Sequence, residues 1–343
     1  MKKIVVILIS LAIIIAAIFF WKFSNRNEQK NTELTKVSFR LLWFPHSQFA
    51  GYIIAQEKGF YKEAGLDVTI QPGGPDLSPT KSVASGADNI GIAVPNEIIA
   101  ARSNGVPLVS IAQIFQDSPN RYILKKENSI KDLTDLKGKK VGLWLGGDEV
   151  EFIAMLKSRG MTEKDVKIIP QNYSVIPFLQ DNYVCSQVTT YGEMNFLAAQ
   201  GWTADKFQIL SPKDYNSAIY GDLLFCSENY LKQHKKVVQN FLEASIKGWQ
   251  YCIANPDEAL KIVLAYNKEL SADEQKLVLK SVIELVTTGD AKQYGIGYID
   301  PKELENAERI LFESGQIESR VDISKTYDSS VWDNIKNDIK KLH

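Results

Sequence analysis

The sequence predicts an α/β protein with two strand-rich units and a helical last third. The first observation is that short strand-like runs alternate with stretches of helical spacing, which is typical of α/β architecture. The second is that this pattern restarts after Arg121. The third is that Val238, Phe241, Leu242 and Trp249 recur at helical spacing and trace one apolar face.

The predicted elements place a cleft between two lobes. Strands are predicted at 37–42, 67–71, 89–93, 108–115, 121–124, 140–143, 166–169, 184–188 and 218–226. The clearest helices between them are predicted at 49–58, 78–87, 97–103, 149–159 and 192–199. If the last third packs on the first unit, the chain crosses between the lobes near 115–121 and 211–220. Ligands of open α/β sheets bind beyond the carboxyl ends of the strands, so the cleft is the expected site.

The N-terminal segment predicts export to the outer face of a bacterial membrane. Lys2 and Lys3 precede an apolar run over 4–21, which is broken only by Ser10. A basic start before such a run is typical of a secretory signal, and the run is just long enough to span a bilayer as a helix. No small-residue cleavage site stands out, and no cysteine is present for a lipid anchor. Residues 1–26 are therefore predicted to remain as a membrane anchor, with a cleaved signal peptide and a secreted or periplasmic protein as the alternative. Residues 27–36 are predicted to form a linker.

The composition excludes several classes of protein. With 40 basic and 41 acidic residues, the chain lacks the excess positive charge typical of nucleic acid binding. No Gly-x-Ser-x-Gly elbow, zinc motif or Cys-His pair is present, so neither hydrolase chemistry, a metal site nor a cofactor is expected. The cysteines are predicted to be buried free thiols, although one disulfide remains an alternative. They are Cys185, Cys226 and Cys252.

Candidate ligand-binding residues follow the strands of the first unit. They offer aromatic rings, amides, a carboxylate and exposed backbone N–H groups, which together suit a planar ligand. These are Trp43, His46, Gln48 and Phe49 after the first strand, Gly73 and Gly74 after the second, Asn96 and Glu97 after the third, and Gln116 after the fourth. Core packing is an equal alternative for Phe49, a tight turn is one for the glycines, and helix capping is the stronger alternative for Asn96.

A second set of candidates follows the strands of the second unit and the return crossing. Trp144 offers a second stacking wall, and Glu193 offers a carboxylate, although the first turn of a helix also favours an acid there. The complete set is Trp144, Gly147, Glu149, Tyr173, Thr190, Tyr191, Glu193 and Tyr220. These loops hold almost no arginine, whereas a sulfonate, nitrate or phosphonate would usually meet basic side chains. Carboxylates beside aromatic rings instead predict a neutral ring with amino or imide N–H groups.

Several ordered motifs resemble the family of proteins that bind or synthesise the pyrimidine precursor of thiamine. They are WFP at 43–45, GYIIAQEKGFYKEAGLDV at 51–68, GVP at 105–107, IAQIFQ at 111–116 and DLKGKKVG at 135–142. The resemblance implies a two-lobed periplasmic-binding-protein fold of type II with two crossings between the lobes. It assigns 37–117 and 218–343 to lobe 1 and 118–217 to lobe 2. It also implies a monomer that delivers a small molecule to an ABC permease with its ATPase.

The same family contains enzymes, and this chain departs from their pattern. The synthases carry a cysteine cluster where this chain keeps only Cys226, and their cofactor lysine and donor histidine correspond to Ala93 and Glu97 here. The resemblance therefore implies binding rather than catalysis, with Trp43 and Tyr191 stacking on a pyrimidine. Residues 48–52 and 71–76 also resemble relatives assigned to riboflavin uptake. A synthase-like enzyme and a sulfonate- or nitrate-binding protein remain the alternatives.

Overall fold

The computed structural model describes residues 33–128 and 130–342 of the chain and contains two mixed five-stranded sheets. The strands are β1 (Thr35–Arg40), β2 (Leu66–Gln71), β3 (Ile90–Ala93), β4 (Leu108–Gln113), β5 (Asn120–Lys125), β6 (Lys140–Leu143), β7 (Lys167–Pro170), β8 (Cys185–Thr189), β9 (Phe207–Leu210) and β10 (Leu223–Ser227). The first sheet has the order β2-β1-β3-β10-β4, and the second has the order β7-β6-β8-β5-β9. We call the first sheet with its helices lobe 1 and the second sheet with its helices lobe 2.

Helices cover both sheets. In chain order they are α1 (Ala50–Glu57), α2 (Phe60–Glu63), α3 (Pro79–Ala84), α4 (Pro95–Ser103), α5 (Val150–Ser158), α6 (Ile176–Leu179), α7 (Glu193–Ala199), α8 (Glu228–Ala254), α9 (Pro256–Tyr266), α10 (Ala272–Thr287), α11 (Ala291–Tyr294), α12 (Pro301–Ser314), α13 (Ser330–Asp333) and α14 (Asn337–Lys340). Short 3₁₀ turns separate several of them.

The two sheets share one plan. In lobe 1, β1 pairs in parallel with β2 and β3, while β10 runs antiparallel between β3 and β4. In lobe 2, β6 pairs in parallel with β7 and β8, while β5 runs antiparallel between β8 and β9. The chain passes to lobe 2 after β4 and returns between β9 and β10. The predicted α/β fold with two lobes and two crossings is therefore confirmed, whereas the lobe limits at 117 and 217 stay a prediction.

The helical last third packs on lobe 1 through α8. Ser227 begins this helix by accepting a hydrogen bond from the Tyr230 N–H, as an N-cap serine does. Phe241 and Trp249 of the apolar face are fully buried in the lobe 1 core. Helices α8 and α1 approach so closely at Gly248 that a Cβ there would lie 1.9 Å from the carbonyl oxygen of Gly51.

Several strand limits differ from the prediction. Strand β1 begins at Thr35, inside the predicted linker 27–36, because Thr35 pairs with Leu66 of β2. Strand β4 ends at Gln113 rather than at 115. The segment 218–222 is not part of β10, which begins only at Leu223. Strand β9 was not predicted at all, because it is a short, partly exposed edge strand.

The predicted anchor at 1–26 and most of the predicted linker lie outside the described residues. Within the ranges that the structure describes, no helix is long and apolar enough to cross a membrane. The cysteine prediction is confirmed there, since Cys185, Cys226 and Cys252 are all buried and free.

Candidate ligand-binding cleft

A cavity of about 520 Å³ lies between the two lobes. Its walls are the loops after β1, β2, β3, β6, β7 and β8, the crossing segment at the start of β5, the return segment before β10 and one face of α10. Protein sites for small molecules are usually clefts of roughly 300–1,000 Å³ in such positions. The cavity therefore has the place and the size of a ligand site.

Most of the candidate residues from both units line this cavity. They are Trp43, His46, Gln48, Gly74, Asn96, Glu97, Trp144, Gly147, Tyr173, Tyr191, Glu193 and Tyr220. Lobe 1 contributes those from the loops after β1, β2 and β3, and lobe 2 those after β6, β7 and β8. The structure thus brings together residues from distant parts of the sequence.

Five candidates do not line the cavity, and local packing explains the first three. Phe49 is fully buried in the lobe 1 core. Gly73 packs under the strand-one loop, where a Cβ would lie 2.4 Å from the Leu41 carbonyl oxygen. Gln116 is buried and its Nε2 donates to the carbonyls of Gln113 and Tyr298, at 2.7 and 2.9 Å.

The other two candidates have local roles in lobe 2. Glu149 accepts the Gly147 N–H at 2.8 Å and so closes the glycine turn before α5. The Thr190 hydroxyl is buried without a hydrogen-bond partner among the residues that the structure describes. Neither side chain is part of the cavity wall.

Three aromatic rings bridge the two lobes at the cavity. The Tyr173 ring lies 4.7 Å from the Trp43 ring of lobe 1 and stacks 6.2 Å from the Trp144 ring of lobe 2, measured between centroids. The Trp144 Nε1–H donates to the Asn172 carbonyl at 3.2 Å, which fixes the indole. Such faces offer a planar ligand stacking partners from both sides.

A chain of hydrogen bonds runs along the lobe 1 wall. His46 Nε2 lies 3.2 Å from Gln48 Oε1, and Gln48 Nε2 donates to both carboxylate oxygens of Asp222, at 2.9 and 3.1 Å. Burial lowers the pKa of His46 to about 4, so the imidazole is neutral at physiological pH. The Ser47 N–H donates to Gln275 Oε1 of α10 at 2.9 Å and so fixes the loop.

Carboxyl groups dominate the remaining wall, and two of them, Asp222 and Asp148, are not among the predicted site residues. Burial raises the pKa of Asp222 to about 7 against the opposing bond from Gln48. Burial, with repulsion from Asp148 and Asp222, raises the pKa of Glu97 to about 7. The Asp148 side chain is open to the cavity but enclosed by protein, and its pKa rises to about 6 through desolvation and the charge of Glu149.

Two further carboxylates have structural partners. Glu151 accepts the Ile219 N–H at 2.6 Å and the Asn120 amide at 2.7 Å, so it joins both crossings. Glu193 accepts the N–H and the hydroxyl of Thr189, both at 2.9 Å, through Oε2. Only its other oxygen remains for a ligand.

Direct polar contacts also connect the lobes beside the cavity. Asn96 Nδ2 of lobe 1 donates to the Gly147 carbonyl of lobe 2 at 3.2 Å. On the other side, Asn195 Nδ2 of α7 donates to the Ser281 hydroxyl of α10 at 3.1 Å. Asn96 thus bridges the lobes; the capping role given as the stronger alternative is wrong, because the N-cap position of α4 is Val94 and Asn96 lies inside the helix.

Comparisons with known proteins agree with this geometry. The family model described as NMT1/THI5 like matches residues 46–259. A Haemophilus influenzae protein named for thiamine biosynthesis is 29% identical and aligns over 76% of this chain and 84% of its own length. The riboflavin-binding protein RibY of Chloroflexus aurantiacus is 23% identical, with 86% and 85% covered. The formylaminopyrimidine-binding protein of Halalkalibacterium halodurans is 26% identical, with 76% and 79% covered.

Enzymes also occur among the relatives. A 4-amino-5-hydroxymethyl-2-methylpyrimidine phosphate synthase of Saccharomyces cerevisiae is 27% identical, with 69% of this chain and 73% of the enzyme covered. Among solved structures, a periplasmic sulfonate-binding protein of Methylobacillus flagellatus KT gives a TM-score of 0.68 at 17% identity, covering 88% of this chain and 93% of its own. The periplasmic nitrate-binding protein of Synechocystis PCC 6803 gives a TM-score of 0.67 at 14% identity, covering 90% of this chain and 91% of its own. At these identities the two structures show the fold alone.

Proposed function

The chain belongs to the NMT1/THI5-like family, and on that premise we propose that it is the substrate-binding component of an ABC importer. Its ligand is a small heteroaromatic nutrient, either a thiamine pyrimidine precursor or riboflavin. It works as a monomer at the extracytoplasmic face of the membrane and delivers the ligand to a permease with its ATPase. Relatives named for pyrimidine and riboflavin binding support this choice of ligand.

The observation that carries the proposal is the cavity with aromatic faces from both lobes. Trp43 belongs to lobe 1, whereas Tyr173 and Trp144 belong to lobe 2, and all three line the cavity. A flat ring held between the lobes is therefore in contact with both of them. Because such a ligand contacts both lobes at once, it stabilises their closed arrangement over an open one.

Three positions support binding over synthesis. Ala93 is buried in β3 and offers no amine for a cofactor aldehyde. Glu97 occupies the position at which the synthases carry a histidine, and Cys226 is buried in β10 rather than exposed in a reactive cluster. Among the described residues that line the cavity, none is a lysine. The same lining contains no arginine, which disfavours sulfonate and nitrate as ligands.

Calorimetric titration of the purified full-length protein tests the proposal. The panel contains 4-amino-5-hydroxymethyl-2-methylpyrimidine, a formylaminopyrimidine, riboflavin, taurine and nitrate. We expect at least one of the heterocycles to bind, and neither taurine nor nitrate to bind. Tight binding of taurine or nitrate, with none of the heterocycles, would refute the ligand class.

A second measurement separates binding from synthesis. Incubation with pyridoxal phosphate and iron is expected to give neither the absorbance of an internal aldimine nor a pyrimidine product. A lysine adduct that maps to the cleft would show that the chain is an enzyme instead.

A further inference from the structure

The described side chains of the cleft wall that can carry a charge at physiological pH are all acidic. Six carboxyl-bearing residues line the cavity, and the described lining holds no lysine or arginine to balance them. They are Glu97, Asp148, Glu151, Glu193, Asp222 and Glu274. His46 is the imidazole of the wall, and its pKa of about 4 keeps it uncharged. Burial raises the pKa of Glu97, Asp148, Glu151 and Asp222 to between about 6 and 7, so these groups are ionised at mildly alkaline pH, and no cationic side chain of the described lining then balances them.

Hydrogen-bond partners within the protein satisfy only some of these six carboxyl groups. Both oxygens of Glu151 accept hydrogen bonds; these bonds and the Arg121 guanidinium oppose, but do not outweigh, the burial that raises the pKa of Glu151 to about 7. Asp222 has Gln48 as its partner. By contrast, Glu97 Oε2 is fully buried and has no hydrogen-bond partner among the described residues. A buried acceptor without a partner is costly, so this oxygen calls for a donor from outside the chain.

The carboxyls are too dispersed to form a metal site. In the part of the chain that the structure describes, no group of three or more histidine, cysteine, aspartate or glutamate side chains is arranged to hold a metal ion. The counter-charge that the cleft lacks is therefore expected on an organic ligand.

The aromatic rings of the cleft provide an independent second observation. The Trp43, Tyr173 and Trp144 rings line the cavity as a continuous aromatic surface, in which Tyr173 of lobe 2 contacts Trp43 of lobe 1 and Trp144 of lobe 2. The face of an aromatic ring carries a partial negative charge and attracts a cation placed over it. Aromatic side chains are known to recognise charged nitrogen groups in this way. Rings and carboxylates in one cavity thus favour the same kind of ligand.

We propose that the cleft selects a heteroaromatic ligand that carries a positive charge on or beside its ring. This ligand class rests on the proposed role as the binding protein of an importer for a heteroaromatic nutrient, and it replaces both the neutral ring predicted from the sequence and the neutral precursor and flavin named above. The ring stacks on the aromatic surface formed by Trp43, Tyr173 and Trp144, and the charge lies near Glu97 and Asp148. A phosphorylated ligand is repelled by the same carboxylates.

Matched ligands that differ in charge test the proposal by calorimetry at pH 8. The first series shares one pyrimidine: neutral 4-amino-5-hydroxymethyl-2-methylpyrimidine, its anionic phosphate, and thiamine, in which a permanently charged ring is attached. The second pair is nicotinamide and 1-methylnicotinamide, which differ by one methyl group and one charge. We expect a cation to bind at least tenfold more tightly than its neutral counterpart in one of the two series, and the phosphate to bind most weakly.

A pair of variants assigns the effect to Glu97. Glu97→Gln keeps the shape of the side chain but removes its charge. It should therefore weaken binding of the cation about tenfold and change the affinity for the neutral ring by less than about threefold. Glu63→Gln is the matched control, because Glu63 is exposed at the amino end of β2, on the opposite edge of the sheet from the cleft. It should leave both affinities unchanged.

The outcomes separate the two proposals. If the neutral ligands bind as tightly as the cations in both series, or if Glu97→Gln weakens charged and neutral ligands equally, the charge preference is wrong and the proposed function stands. If no pyrimidine, flavin or nicotinamide binds at all, the proposed function fails as well.

Discussion

Replacing Asp222 by asparagine should stabilise the ligand-free protein at neutral and alkaline pH. Asp222 is almost completely buried, and Gln48 is its hydrogen-bond partner. Asparagine has the same shape and keeps one oxygen to accept a bond from Gln48. The substitution therefore removes the buried charge at little cost in packing.

The size of the effect follows from the pKa of Asp222, which burial raises from 3.8 to about 7. Below about pH 4 the carboxyl is protonated in the folded and the unfolded chain alike. Between about pH 4 and 7 the unfolded chain loses this proton while the folded chain keeps it, so the free energy of unfolding of the wild type falls. Roughly three pH units at 1.36 kcal/mol each give about 4 kcal/mol, and local relaxation around the charge reduces this to about 2.

Urea unfolding of the wild type and Asp222→Asn between pH 4 and 8 measures the effect. The protein is first freed of ligand by unfolding and refolding. The stability of the variant relative to the wild type should rise by about 2–4 kcal/mol over this range and then stay constant. Asp67→Asn is the control, because Asp67 is exposed on β2. A difference that does not vary with pH, or one that favours the wild type at pH 8, would refute the reasoning.

Three further predictions concern packing, the cleft and the N-terminus. Gly248→Ala should lower the free energy of unfolding by about 1–3 kcal/mol, because its Cβ would clash with the Gly51 carbonyl; unchanged urea unfolding would contradict this. Trp43→Ala should weaken ligand binding about tenfold in calorimetry while Trp43→Phe keeps most of the affinity; if the alanine variant binds like the wild type, Trp43 does not contact the ligand. Intact-mass measurement of protein from native membranes should find residues 4–21 still attached, and a mature N-terminus downstream of Trp21 would contradict the anchor.

The sequence predicts the sheets well because most strands are buried. The run 90–93 is wholly apolar, and a run of that kind needs a covered strand. Strand β9 is different, since the two central residues of Phe207–Leu210 are only partly buried and its signal is weak. The segment 218–222 has the composition of a strand, but it spans the return crossing and pairs with no sheet.

The site could be predicted only in part. The rule that ligands bind at the carboxyl ends of strands locates Trp43, Trp144 and Tyr191, since each of them follows a strand directly. It gives no information on Gln275, which reaches the cleft from a helix far along the chain. Asp222 was also missed, because an isolated carboxylate in a sequence looks like any solvated acid until burial is known. Phe49 shows the opposite error, because it was predicted to line the cleft. It follows Gln48, which does line the cleft, but the Phe49 ring is fully buried in the lobe 1 core.

The three unpaired thiols make the protein a natural reporter of its own unfolding. Cys185 lies in β8 of lobe 2, whereas Cys226 lies in β10 and Cys252 in α8 of lobe 1. Each is completely enclosed, and burial raises the pKa of each thiol, so we expect none to react with an alkylating reagent in the native state. Alkylation in dilute denaturant, followed by peptide mass mapping, therefore records which lobe exposes its interior first. No dye or engineered label is needed, and a bound ligand should slow the modification of both lobes together.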